Sequence, residues 1–266
     1  MREKYTESDI TVVICAYKEC KYLEACILSI LAQTKKVLVK ISTSTPNTFI
    51  DVLAEKYQLE VFVNPHGGHT QDYNFALKQI KTKLGVLAHQ DDLFESRYIE
   101  CCLKELNHSK KPIIVFTDYL EIHQDNIDWK PSAMVRIKKL LMWSVKIKWL
   151  RGKYFGKRML QCIGNPITHP SVMYVMEEMP RQCFRKKYKA SMDWDLWERL
   201  SNKKGEFLYV DKVLLYHRMN KENTTALLIE STNCRYQEEL EILERFWSKK
   251  IARFIMKFYS KAQKYY

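Results

Sequence analysis

Apolar and polar positions alternate along the first half of the chain with two different periods. Thr11–Tyr17, TVVICAY, is a short β-rich apolar run of the kind shown by a strand buried on both faces. Leu23, Ile27, Ile30 and Leu31 then recur at helical spacing, which predicts a helix over 20–33. Val37–Ser42 reads as a second strand ending in the turn-forming STSTPN, Phe49–Tyr57 as a helix, and Leu59–Val63 as a third strand. His66-Gly67-Gly68 is a loop that either approaches a phosphate closely or simply joins strand to helix; a helix over 71–82 follows. Leu84–Ala88 is a fourth strand and runs directly into His89-Gln90-Asp91-Asp92. A helix over 96–107 and a strand over Pro112–Thr117 complete this half. Strands alternating with helices in this way predict an α/β fold with a parallel, doubly wound sheet. Ligands of such sheets bind beyond the carboxyl ends of the strands. Tyr17, Ser42, Asn64 and the HQDD tetrad all lie at such ends. No GxGxxG follows any strand, so a dinucleotide site gains no support.

The second half has a different texture. From Trp129 to Met176 there is no acidic residue and there are ten Lys or Arg. The periodicity predicts a basic, Trp-rich helix over 134–150, then a turn and strand in GNPITHPSVMY, and a helix in Ser191–Leu200 (SMDWDLWERL). Phe207–Val210 and Val213–Tyr216 read as two closing strands, and 226–266 is helical by period with no acid after Glu244.

Charge narrows the partners. The 266 residues carry 44 Lys+Arg against 31 Asp+Glu, a net charge of +13, which favours an anionic partner. Nucleic acid, phosphorylated small molecules and an anionic membrane face all satisfy that condition. No nucleic-acid-binding motif is present and the positive charge is confined largely to amphipathic stretches, which argues against nucleic acid. The first ten residues have no apolar core of a secretory signal, and no run of about 18 apolar residues occurs. The eight cysteines form no CxxC pair and sit mostly in apolar runs. A reduced, cytoplasmic protein is the expectation.

Two acidic motifs offer chemistry. Asp91 and Asp92 at a strand end present hard oxygen ligands for Mg²⁺ or Mn²⁺, whose shell a diphosphate can complete. The same two residues could instead cap the next helix or sit in solvent. Asp193 and Asp195 are two positions apart on a helix, so both cannot face one site. One could act as a general base while the other caps or faces outward; alternatively both merely suit a helix N-terminus, with Trp194 and Trp197 as core anchors. His169 could line a pocket or be a satisfied buried histidine. His217 and Arg218, taken alone, read as surface charges.

Together TVVICAYKE, VKISTSTPN, the stretch from GGHTQDYNF to LGVLAHQDD, GNPITHPSVMY and SMDWDLWERL resemble, in order, the family 2 glycosyltransferases of the GT-A fold. The likeness spans about 10–225 and is strongest to bacterial members that build capsular, O-antigen or exopolysaccharide chains. It implies a Rossmann-like, mixed but mostly parallel sheet flanked by helices, with a basic helical C-terminal extension. Residues 1–125 would be the nucleotide-sugar half, 126–225 the acceptor half, and 226–266 the tail. Ala16, Tyr17 and Glu19 match the loop that holds the donor base and ribose, with Cys15 and Ala16 replacing its Pro and Thr. Asp91 matches the final Asp of the DxD motif and, with Asp92, would hold Mn²⁺ or Mg²⁺ against the diphosphate; His89 replaces the first Asp, and Gln90 stands between. Asp193 matches the general base of an inverting, hexosyltransferase-like reaction, with Met192 in place of the usual Glu. Ser42 and Thr43 stand where an Asp-Asp commonly reads uracil, and Asp72-Tyr73-Asn74 replaces an Arg-Asn pair. Arg218 and His217 fall where the family puts a basic group near the leaving diphosphate. The implied partners are a nucleotide-diphosphate sugar, most commonly a UDP-sugar, and a glycan or polyprenyl-linked acceptor. The departures motivate one alternative, a nucleotide-sugar-binding protein that has lost turnover.

Two basic amphipathic segments remain. Met134–Lys153 interleaves Trp143 and Trp149 with Arg136, Lys138, Lys139, Lys146 and Lys148, and Phe246–Tyr266 interleaves Phe254 and Phe258 with Lys249, Lys250, Arg253, Lys257 and Lys261. Such helices suit the anionic inner face of a cell membrane, or pack on the domain with a solvated basic face.

Overall fold

The computed structural model describes residues 3–123, 126–129, 133–219 and 234–263. Four strands are parallel neighbours in the order β3 (Glu60–Val63), β2 (Leu38–Thr43), β1 (Ile10–Ala16), β4 (Leu84–His89). β1 is buried along almost its whole length, and its alternate residues feed two cores: Val12 and Ile14 on one face, Val13 on the other. The first face is covered by helices α1 (Leu23–Leu31), α2 (Thr48–Tyr57) and α4 (Tyr98–His108), the second by α3 (His69–Lys78). Asn47 caps α2 by accepting the Ile50 N–H at 3.0 Å, and Gln58 ends it in the left-handed region at φ 52°. Gly67 and Gly68, at φ 55° and 107°, make the bend into α3, a conformation that suits glycine.

The sheet continues through β8 (Met173–Val175), β6 (Pro112–His123), β9 (Glu206–Arg218) and β5 (Leu93–Phe94), with β7 (Asn126–Ile127) paired to β6. β8 is antiparallel to both β4 and β6. The sheet is therefore mixed and mostly parallel. Its second half is completed by α5 (Ala133–Leu141), α6 (Trp143–Lys146), α7 (Tyr154–Met159), α8 (Met192–Ser201), α9 (Cys234–Leu243) and α10 (Lys249–Gln263). Trp194 and Trp197 of α8 are fully buried, as anchors of the second core, which Ile242, Leu243, Ala252 and Met256 of the C-terminal helices also join.

Several element boundaries differ from the sequence reading. The first helix begins at Leu23 rather than 20, because Lys18 takes a left-handed φ of 54° and the chain is still turning. The third helix covers 69–78 instead of 71–82. The two closing strands are one strand of 13 residues: the register passes from Thr117–Val210 to Asp118–Val213, so Asp211 and Lys212 form a bulge where the sequence suggested a break. β6 likewise runs to His123, six residues past the expected end at Thr117. The single helix expected over 134–150 is divided, because Ser144 and Val145 turn into the core and Ile147 is extended. The helical run expected over 226–266 lies outside the described residues as far as 233, and a turn at 244–248 separates α9 from α10.

Candidate active site

The carboxyl ends of β1, β2 and β4 lie level, with Cys15 opposite both Ser42 and His89. Ala16 and Ser42 are buried at the ends of their strands, whereas Tyr17 and Glu19 just beyond β1 are exposed. Gln90 crosses from β4 to hold the rim: its Oε1 accepts the Tyr17 N–H at 2.8 Å and its amide donates to the Tyr17 carbonyl at 3.0 Å. Asp72 has a similar bracing role. It accepts from Ser44 Oγ at 2.9 Å and from Asn64 Nδ2 at 2.7 Å, tying together the ends of β2 and β3. The side chains of Gln90 and Asp72 are thus engaged in shaping the rim.

The HQDD tetrad is completed from far along the chain. The two-residue strand β5 pairs antiparallel with β9, Leu93 opposite Tyr216, which brings His217 and Arg218 beside Asp92. Asp92 is fully buried; its Oδ1 accepts from the Arg218 N–H at 2.9 Å and lies 2.8 Å from His217 Nδ1. Its Oδ2 has no hydrogen-bond partner among the described residues and lies 3.8 Å from His89 Nδ1. Arg218 is 4 % exposed, stacks on the Tyr22 ring at 3.6 Å and donates through Nε to the Asp91 carbonyl at 3.1 Å. Arg218 is therefore a buried part of the crevice and His217 a half-buried one, which corrects their reading as surface charges.

Charge inside this cluster is strongly biased. Burial, with the neighbouring His169, holds His89 well below the ordinary histidine value, so it is neutral and able to act as a ligand. Burial alone would lower His217 too, but the Asp92 carboxylate outweighs it and raises the value. Burial and the adjacent Asp92 push the Asp91 carboxyl up to about 6. His89, Asp92 and His217 each offer one ligand atom, and the three atoms lie within 4.8 Å of one another. With a buried carboxylate oxygen left unbonded at its centre, this donor set fits a divalent cation. Asp91, also expected as a metal ligand, stands beside this triad without being one of its three members.

The second carboxylate site opens off the other side of His89. The 3₁₀ turn His169–Ser171 leads into antiparallel β8, so His169 reaches the end of β4 and sits with Nδ1 3.0 Å from His89 Nε2. Tyr73 Oη meets the same Nε2 at 3.1 Å, and its ring packs 5.0 Å from that of His169. His169 is buried against Tyr73, Phe184 and Trp197, and burial lowers its pKa to about 3. Beyond this aromatic wall, Asp193 opens α8. It is half-buried, accepts from Asn165 Nδ2 at 2.8 Å and from the Trp194 N–H at 2.7 Å, and burial raises its carboxyl to about 6. Desolvation, and with it the charges of Asp91, Asp92 and Asp193, raises the pKa of the half-buried Tyr73 hydroxyl, which marks both carboxylate sites as parts of one neighbourhood.

The sequence profile described as Glycosyl transferase family 2 matches residues 11–182, more than half of the chain. The chain belongs to glycosyltransferase family 2. No curated protein matches it by sequence. Solved structures share the fold at low identity. Residues 1–349 of TarS from S. aureus, in complex with UDP-GlcNAc, align at 14% identity and a TM-score of 0.60, covering 93% of this chain and 70% of that one. The mannosyltransferase PcManGT from Pyrobaculum calidifontis, in complex with GDP-Man and Mn²⁺, aligns at 13% identity and a TM-score of 0.61, over 90% of this chain and 65% of that one. Glucosyl-3-phosphoglycerate synthase from Mycobacterium tuberculosis, with Mn²⁺ and UDP-glucose, aligns at 15% identity and a TM-score of 0.51, over 83% and 78%.

Within this family 2 glycosyltransferase, sequence reasoning singled out His89, Asp91 and Asp92 by their place at a strand end and, through the family resemblance, Asp193 at a helix start. It missed Asn165 and Tyr73 as neighbours of the site. Asn165 carried a weak signal, since an Asn in a Gly-Asn-Pro turn is free to aim its amide. No helix among the described residues is long and apolar enough to cross a membrane.

Proposed function

We propose that the chain is an inverting glycosyltransferase that moves a hexosyl group from a nucleoside-diphosphate donor, with UDP preferred, to a hydroxyl of a glycan or polyprenyl-linked acceptor in surface-polysaccharide synthesis. The observation that carries the reading is the His89–Asp92–His217 triad, with Asp91 beside it, at the carboxyl ends of β4 and β9. Donor binding belongs at that edge in an open α/β sheet. Asp91 and Asp92, joined by His89 and His217, would hold Mn²⁺ or Mg²⁺; when bound, the cation neutralises charge on the leaving diphosphate. The buried Arg218 adds positive potential at the same place. Tyr17 and Glu19 at the rim, with Ala16 and Ser42 behind them, would receive the nucleoside.

Asp193 would take the proton from the acceptor hydroxyl as that oxygen attacks the anomeric carbon from the face opposite the diphosphate. One displacement without a covalent intermediate inverts the configuration. The environment suits the task. A carboxylate held by two neutral donors is positioned without being neutralised, and a pKa of about 6 makes it a stronger base than an ordinary aspartate. The bound donors and Mn²⁺ of the similar structures support this reading of substrate class.

The test is a panel of nucleotide sugars with Mn²⁺, offered with saccharide and polyprenyl-phosphate-linked acceptors, following release of nucleoside diphosphate and the anomer formed. Inverted product, lost on Asp193→Asn, is expected. Retained configuration, or equal turnover by the variant, contradicts the proposal.

A further inference from the structure

The C-terminal helix carries a surface that sugar transfer does not use. Ala252 and Met256 turn α10 into the core, while Ile251, Phe254 and Phe258, spaced i, i+3, i+7, form a second apolar stripe facing outward. Their exposures are 45%, 63% and 62%, and the Phe254 and Phe258 rings meet edge-on at 5.0 Å. Lys250 and Lys257 are exposed and, on helical spacing, lie along the edge of this stripe away from the core. Lys249 and Lys250 also occupy the first turn, where the helix dipole favours acids, and α10 has no acidic residue in its length. Phenylalanines left in water gain little from folding, and lysines at a helix N-terminus oppose it. Both become favourable where the helix lies on an apolar medium edged with negative charge.

The apolar surface extends past the helix. Trp247 is 38% exposed and donates from Nε1 to the Cys162 carbonyl at 2.6 Å, beside the exposed Ile163. Its neighbour Phe246 and the exposed Tyr154 of α7 both stack on the Arg158 guanidinium, at 4.0 and 5.2 Å. Arg253, by contrast, lines a cleft with Glu241 and Glu244 and takes no part in the stripe.

We propose that α10 and the turn before it dock on an anionic lipid bilayer. The helix lies in the interfacial plane, with Ile251, Phe254 and Phe258 below the headgroups and Lys250 and Lys257 among them. Charge selects this occupant. A second copy of the chain, itself at +13, would bring lysine against lysine, whereas an anionic leaflet complements the lysines and accepts the phenylalanines. Arg245 joins the turn before α10 to Asp195 of α8 at 2.9 Å, so docking also fixes the attitude of α8 to the surface.

Co-sedimentation with vesicles of phosphatidylcholine alone or with phosphatidylglycerol tests this on the full chain. No nucleotide sugar or acceptor is present, so the result is independent of the reading of the active site. Binding is expected only with the anionic lipid, falling with added salt. Phe254→Ser with Phe258→Ser should weaken it at least tenfold, and Lys250→Glu with Lys257→Glu likewise; both pairs are exposed, so the melting temperature should hold. Absence of binding to anionic vesicles at low salt overturns the proposal. So does binding that the phenylalanine pair leaves unchanged, or self-association in sedimentation equilibrium that this pair abolishes without any vesicle binding.

Discussion

Asp193 and Asp195 lie two positions apart on α8 and meet opposite surroundings. Asp195 is fully buried and ringed by cations: Arg185 and Arg199 reach its Oδ2 at 2.9 and 3.0 Å, and Arg245 its Oδ1 at 2.9 Å. Burial pushes its carboxyl upward, but the hydrogen bonds from Arg185 and Arg245 outweigh this and hold it below the usual range. Among the described residues Asp193 accepts from an amide and a helix N–H, with Arg235 and Lys138 acting on it through space, and burial raises it to about 6. The same contrast recurs at the strand end. Asp92 is locked by His217 and the Arg218 backbone, while its neighbour Asp91 is pushed up to about 6 by burial and by Asp92. In each pair one carboxylate is fixed by its partners and the other is not, although Asp92 also keeps its Oδ2 open toward the His89–Asp92–His217 donor set. Two titratable neighbours with surroundings that separate their pKa values is how a site assigns roles.

The largest expected effect separates the α8 pair by activity. Asp193→Asn should cost about 10²–10⁴ in turnover with little change in donor affinity, read from kcat and KM separately. Its stability should move the other way. A carboxyl raised in the folded state carries no penalty below its ordinary 3.8 and a full penalty above about 6. The variant should therefore melt higher than the parent at pH 8 and not at pH 4, by roughly 2–5 °C.

Asp195→Asn should do the reverse. It leaves Arg185, Arg199 and Arg245 facing one another and should destabilise by about 3–5 kcal/mol. That is on the order of 10 °C in melting temperature. If instead it removed turnover at unchanged stability, the two roles would have to be exchanged. Asp193 also sets a pH profile. Transfer should fall about tenfold per pH unit below roughly 6 and level off above it, because only the ionised carboxylate takes a proton. The smallest effect concerns Glu238 of α9, whose carboxylate accepts the N–H groups of Lys189, Ala190 and Ser191 at 2.8, 2.9 and 2.9 Å, just before α8. Glu238→Gln should cost about 1–2 kcal/mol in stability and lower kcat through the looser start of α8, without altering the pH midpoint.

The alternating strands and helices of the first half were legible because each is a local pattern. So were HQDD at a strand end and the Asp193–Asp195 pair at a helix start, with the family resemblance singling out Asp193. What locks their partners was not legible. His217 meets Asp92 through β5, a strand of two residues that leaves no periodic trace. Asp195 read as a residue that might cap or face outward, since nothing local shows that Arg185 and Arg245 converge on it from a loop and from the far side of α9. The bulge at Asp211 and Lys212 looked like the end of a strand because charged residues interrupt a hydrophobic run in either case.

The central claim is that a nucleoside diphosphate binds at the β4–β9 edge through a divalent cation. Melting of the parent chain with UDP, with and without Mn²⁺, tests it most directly, alongside Asp91→Asn and Asp92→Asn. Ligand at a hundredfold its Kd stabilises by about 2.7 kcal/mol, so the parent should gain roughly 5–10 °C, and only when Mn²⁺ is present. Asp91→Asn should melt no lower than the parent without ligand and lose that gain, whereas Asp92→Asn should already melt lower without ligand. A full Mn²⁺-dependent gain in Asp91→Asn, or no gain in the parent with UDP or GDP, would contradict the account.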